Sequence, residues 1–129
     1  MVKSRNKSKA PVNSGDSFYV YVWEFHVRAG CELEFERIYG PEGAWTRLFR
    51  RGSGHLRTEL IRDKDVPNRY LTIDYWMDES SLWRFRREFS KEFHQLDQSC
   101  ERLTDSEALI GDFLAVDAEE SRQSVRGQN

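Results

Sequence analysis

Ten residues, Phe18 to Val27 (FYVYVWEFHV), restrict the fold more than any other stretch of the chain. They are β-branched and aromatic with no Gly or Pro, which reads as a strand. Side chains alternate between the two faces of a strand. Tyr19, Tyr21, Trp23, Phe25 and Val27 make one row; Phe18, Val20, Val22, Glu24 and His26 make the other. Both rows are largely apolar, the mark of a central strand covered on both sides. One layer of helices can cover only one of them.

The helices are legible downstream. In Ser81–Leu103, the residues Leu82, Phe85, Phe89, Phe93, Leu96, Cys100 and Leu103 recur at steps of three or four. That spacing predicts one helix of about six turns with a single apolar stripe. Arg84, Arg87, Glu88, Lys91, Glu92, Asp97 and Glu101 fill its wet side, and Asp78 is placed to cap its first turn. A shorter helix is expected from Cys31 to Tyr39, stopped by Gly40-Pro41, and a third helical piece from Gly43 to Arg51. After the Gly52-Ser53-Gly54 turn, His55–Arg62 alternates as a strand, with Leu56, Thr58 and Leu60 on one face. Arg69–Trp76 is its hairpin partner, and Glu107–Val116 is the last strand, where Gly111 suggests a bulge.

The order β-α-(α)-β-β-α-β is the split βαβ plan of a ferredoxin-like α+β fold. Right-handed crossovers put both main helices, with the short extra one, on one face of a four-stranded antiparallel sheet. Phe18, Val20 and Val22 on the other face call for a second copy of the sheet, so a homodimer closing as an α/β barrel is expected.

Composition narrows the class. The domain is residues 18–116, flanked by a basic, disordered leader (1–17) and a flexible polar tail (117–129). The leader carries Lys3, Arg5, Lys7 and Lys9 against Asp16. It has no aromatic residue, and the domain behind it is acidic, which argues against nucleic acid as a partner. No apolar run reaches the ~20 residues of a membrane span, and the N-terminus lacks the apolar stretch of a secretory signal. Cys31 and Cys100, without metal-like spacing, suit a reduced cytoplasm.

Five segments carry a resemblance: YVYVWEFHVRAG, EFERIYGPEGAW, LFRRGSGHLRTELIRD, RYLTIDYW and CERLTDSEALIGDF. Together they resemble the antibiotic biosynthesis monooxygenase family of dimeric α/β barrels, over residues 18–116. The resemblance implies a pocket between the sheet and its own helices, and oxygenase chemistry without a bound cofactor. It does not extend to the haem-degrading branch. That branch has an Asn on the first strand and a Trp and a His on the second main helix. Here the first position carries Trp23, the second falls at or near Phe85, and only His94 lies close to its counterpart.

His94, beside Phe93 on the long helix, is the first candidate for a general base, and Asp74 inside a strand is the second. A flank histidine bonded to water is the plainer reading of His94. Glu24 and Glu59 are also strand acids, but Arg57, Arg62 and Arg69 offer them structural ion pairs. His26 and His55 lie at strand ends without a second ligand, so no metal is expected. Tyr21, Trp23 and Phe25 should face Trp45, Phe85 and Phe89 across the interior, lining a pocket for a small, flat, hydrophobic aromatic ligand. An aromatic core is the plainer reading of each ring. Three roles are compatible with these residues. They are a cofactor-independent monooxygenase of a phenolic or quinol-like substrate, a non-catalytic dimeric ligand-binding or stress-related protein, and a dimer whose interior its own rings fill.

Overall fold

The computed structural model describes residues 17–116. The leader and the polar tail expected from the sequence lie outside the described residues, apart from Ser17. The elements run β1 (Phe18–Val27), α1 (Glu32–Tyr39), α2 (Ala44–Phe49), β2 (His55–Arg62), β3 (Arg69–Trp76), α3 (Glu79–Glu88), α4 (Ser90–Cys100), a 3-10 turn (Glu101–Leu103) and β4 (Thr104–Ala115). They form one antiparallel sheet in the order β2-β3-β1-β4, the ferredoxin-like α+β plan. β1 is indeed central.

The odd-numbered row of β1 is buried throughout, from Tyr19 to Val27. It meets the helices through rings: Phe25 packs on Phe35 and Tyr39 of α1, at centroid distances of 5.4 and 5.0 Å. Trp76 of β3 packs on Phe49 of α2 and Phe85 of α3, at 5.8 and 5.5 Å. Offset and edge-on contacts of this kind suit the ring quadrupole and add to the burial of apolar area.

The long helix is broken. Phe89, at φ −112 and ψ 32, ends α3 and precedes the first residue of α4. The break falls before Ser90, a residue type whose hydroxyl competes with the helical backbone. Phe93 remains in the core while Phe89 is left at the rim, stacked on Phe85 and covered by the Arg51 guanidinium at 4.9 Å. Asp78 caps α3 as expected, accepting from the Ser81 N–H at 2.8 Å. Asp97, expected on the wet side, is buried.

Gly54 seats the end of α2's connection against α3. Its φ of +103 lies in the left-handed region, and an added Cβ would stand 2.4 Å from Ser81 Oγ. The Gly54 carbonyl accepts from Met77 N–H at 2.8 Å, which fixes where β2 starts.

The outer sheet face is mixed. Val20, expected to be left bare, is 92% covered within the chain because Tyr75 and Phe113 flank it in register (8% exposed). Glu24 is bound by Arg69, and Glu59 by Arg57 at 3.2 Å, the ion pairs expected of them. Phe113 remains 50% exposed and Ile61 47%.

Candidate functional site

A row of polar side chains crosses the helix-covered face at the middle of the sheet. Tyr21 of β1 stands opposite Asp74 of β3, and Asp74 stands opposite Thr58 of β2. On the other side Tyr21 stands opposite Asp112 of β4. Asp112 reaches this face because a bulge at Ile110 shifts the register: Val22 pairs with Gly111, but Trp23 pairs with Leu109. The Tyr19 hydroxyl donates to Asp112 at 2.8 Å, and burial together with that carboxylate pushes the Tyr19 phenol well above its ordinary range.

Asp74 is the chemically unusual member. It is 1% exposed, and no cation forms an ion pair with it among the described residues. Its one hydrogen bond among those residues comes from Thr58, whose hydroxyl donates to Oδ1 at 2.6 Å. Burial disfavours the charged carboxylate and the Thr58 hydroxyl favours it; burial dominates and pushes the group up to about 7. A carboxyl near neutrality inside an aromatic interior can take a proton at physiological pH and give it back.

Around Asp74 are further buried polar atoms. Trp23 Nε1, Thr72 Oγ1 and Trp76 Nε1 have no hydrogen-bond partner among the described residues. Trp23 and Thr72 are opposite one another in the next row of the sheet, and Trp76 lies in the row on the other side. Buried donors are rarely left unmade, so these atoms are suited to hold a ligand or water beside Asp74. A half-buried cation, Arg86 of α3, lies over the Phe93 ring at 4.1 Å and bears electrostatically on Tyr21 and Asp97. It can favour negative charge on a bound phenol or enol.

The candidates from sequence are only partly brought together. Tyr21 and Trp23 lie on the sheet beside Asp74, with ring centroids 6.2 Å apart, and Trp83 of α3 closes over Tyr21 at 6.3 Å. Trp45 and Phe85 are buried in the ring cluster under α2 and α3, Trp45 edge-on to Phe93 at 5.1 Å. Phe25 belongs to the α1 packing, and Phe89 to the rim. His94 does not look inward. It is exposed on α4, and its Nδ1 lies 2.8 Å from the Ser90 carbonyl one turn earlier, because the position after an inward Phe93 is rotated about 100° away from the core.

His55 is the residue that alternation misplaces. Strict alternation puts it on the face opposite Thr58. In the structure His55 pairs with Trp76 and Arg57 pairs with Tyr75, so Leu56 is an extra residue in the ladder. The bulge turns Leu56 outward, where it is exposed, and brings His55 to the same face as Thr58. His55 Nε2 lies 3.0 Å from Thr58 Oγ1, between the rings of Phe49 and Trp76. No signal in the sequence beyond the nearby glycines points to that bulge.

Neither a family model nor a curated protein matches the sequence. Solved structures do. SnoaB, a cofactor-independent oxygenase from Streptomyces nogalater, matches in a mutant form at a TM-score of 0.61 with 24% identity, over 77% of this chain and 93% of that one. The fold is shared with an oxygenase. A second SnoaB structure gives 0.56 at 24% identity, over 75% and 91% of the two chains. A protein from Pseudomonas aeruginosa gives 0.58 at 16% identity, over 78% and 95%. At these identities the likeness is one of architecture, and activity has to be argued from the side chains. Three further facts bear on the chemistry. No helix among the described residues is long and apolar enough to cross a membrane. No group of three or more His, Cys, Asp or Glu among them could hold a metal ion. Cys31 and Cys100 are free thiols.

Proposed function

We propose that the protein is a cofactor-independent monooxygenase of the antibiotic biosynthesis monooxygenase type, acting on a small phenolic or quinol-like aromatic. The observation that carries this reading is Asp74, a fully buried carboxyl with a neutral hydroxyl as its one hydrogen-bond partner among the described residues, lifted to about 7. Asp74 takes the proton of the bound phenol or enol, and the electron-rich anion reacts with O₂. One oxygen atom becomes a carbonyl of the product. The other leaves as water with the two hydrogens of that carbon in the keto form, so the substrate supplies all four electrons. Tyr21, Trp23 and Trp83 provide the dry aromatic walls, and Arg86 favours the anion.

The active form in this reading is a homodimer. Phe113, Tyr75, Ile73, Leu71 and Ile61 share the outer face, and a second sheet is the cover that suits them. The test of activity is oxygen uptake by flavin-free and metal-free protein across a panel of phenols and quinols. Uptake with one ¹⁸O atom from ¹⁸O₂ in the product supports the reading; no uptake across the panel argues strongly against it.

A second reading, a dimer whose interior its own rings fill, is favoured by the continuous ring packing of Phe49, Trp76, Phe85, Phe93 and Trp45. It expects aromatic ligands to leave the melting temperature unchanged, whereas a non-catalytic ligand-binding dimer expects them to raise it without being consumed.

A further inference from the structure

Thr58 stands between Asp74 and a second titratable side chain. Its Oγ1 is 2.6 Å from Asp74 Oδ1 and 3.0 Å from His55 Nε2. A hydroxyl carries one proton and cannot donate to both. When it donates to the carboxylate, its oxygen accepts from His55, the ring is the Nε2–H tautomer, and Nδ1 is bare. When it donates to Nε2 instead, the ring proton sits on Nδ1, and the carboxyl has to be the donor to Oγ1, which means it is protonated. The imidazole is neutral in both arrangements, because burial, aided by the Arg50 charge, pushes His55 down to about 4.

We propose that His55 is a positioning residue for Asp74: through the Thr58 hydroxyl, the tautomer of its ring and the ionisation of the carboxyl form one coupled two-state switch. The Nε2–H form holds Asp74 as carboxylate; the Nδ1–H form accompanies the protonated acid. Three features support the coupling. The bulge at Leu56 is what puts His55 and Thr58 on one face, so the sheet is built around the contact. Thr58 is 6% exposed, which keeps water from substituting for either partner. Nδ1 is buried with no partner among the described residues, so an N–H there is a donor left unmade and is adopted only when the carboxyl compensates. The groups facing the chain are few. Arg50 acts on His55 from the C-cap of α2, Phe49 and Trp76 flank its ring, and Tyr21 stands opposite Asp74 on β1.

The use of the switch in catalysis rests on Asp74 being the base, but the switch itself is read without turnover. The experiment is NMR on the full chain labelled with ¹⁵N histidine and ¹³C aspartate, between pH 5 and 9. The expected result is that the Asp74 carboxyl titrates near pH 7 while the His55 nitrogens exchange bare and protonated character at the same pH, without an imidazolium signal. Thr58→Val, which removes the hydrogen bond to the charged form, moves the Asp74 midpoint up by about one pH unit, and His55→Phe, which removes the Nε2–H donor that polarises that hydroxyl toward the carboxylate, moves it up by a smaller amount. His55→Gln, whose amide still donates to Oγ1, keeps the midpoint near that of the unaltered chain. A single tautomer across the whole Asp74 titration overturns the proposal, as does an unmoved midpoint in His55→Phe. If that variant does not fold, the tautomer measurement and Thr58→Val decide. Intact coupling in a protein that oxidises no phenol sinks only the oxygenase reading.

Discussion

Thr58 of β2 donates its hydroxyl proton to Asp74 of β3 across the strand seam, 2.6 Å from oxygen to oxygen. Two of the other strand carboxylates make a useful contrast. Glu24 is bound by Arg69, and Glu59 by Arg57, both on the outer face. The Glu59 pair is exposed and contributes at most about 1 kcal/mol, the Glu24 pair is part-buried, and each holds its carboxylate against a cation. Asp74 faces the dry side with a neutral donor, so its charge is held against burial. The difference in partners comes from the face each residue occupies.

Replacing Asp74 by Asn keeps the shape and removes the proposed base. Turnover of a phenolic substrate is expected to fall by about 10²–10⁴, with the circular dichroism spectrum unchanged. Oxygen-electrode assays on the purified variant check this, and activity within a few-fold of the unaltered protein would place the base elsewhere.

The pH profile of kcat/KM follows the same group. Asp74 acts as base only when ionised, so the rate should rise with unit slope as pH increases through about 7 and level off above it. A profile that is flat from pH 5 to 9 contradicts the assignment.

Stability carries the opposite sign. Asp74 is raised from 3.8 to about 7 on folding, so between those values the folded chain binds more proton than the unfolded one, and stability falls as pH rises. His55 is lowered from 6.5 to about 4, so its contribution is present above pH 6.5 and is lost as pH falls through about 4. The two slopes oppose each other over the shared window. Asp74→Asn removes the first, and should be more stable than the unaltered protein at pH 8 by a few kcal/mol, at ~1.4 kcal/mol per tenfold change in proton affinity. The gap should close toward pH 4. Urea denaturation at pH 4.5, 6 and 8 measures it.

In the proposed homodimer the outer sheet face is the contact between copies. Asp in place of Phe113 puts a charge at a half-exposed apolar position on that face, away from the helix-covered core. Sedimentation velocity should show a dimer for the unaltered chain and a shift to monomer for the variant, without loss of secondary structure. A monomer in both cases would mean that this face has no self-partner.

Gly54 is a sensitive point of the scaffold. Ala there must adopt φ +103 and bring its Cβ to 2.4 Å from Ser81 Oγ. The cost should exceed ~1 kcal/mol, the conformational penalty alone, and appear as a lower melting temperature. Because Gly54 immediately precedes His55, the Asp74 titration should be disturbed as well.

Most of the scaffold follows from the chain's own pattern. Two apolar rows in Phe18–Val27 make a central strand, and the apolar stripe of Leu82, Phe85 and Phe93 makes the covering helices, because burial acts on each residue type wherever the period places it. Asp78 announces its cap by position alone. The tertiary structure decided what period cannot carry. A bulge at Leu56 resets the two-residue alternation and turns His55 inward; another at Ile110 turns Asp112 inward and Phe113 outward. The helix breaks at Phe89, and His94, one position past the inward Phe93, lies in solvent. Glu24, Glu59 and Asp74 look alike along the chain. They differ because ionisation depends on partners brought near by folding, and a carboxylate 45 residues from its arginine cannot be told from one that has none until the strands are paired.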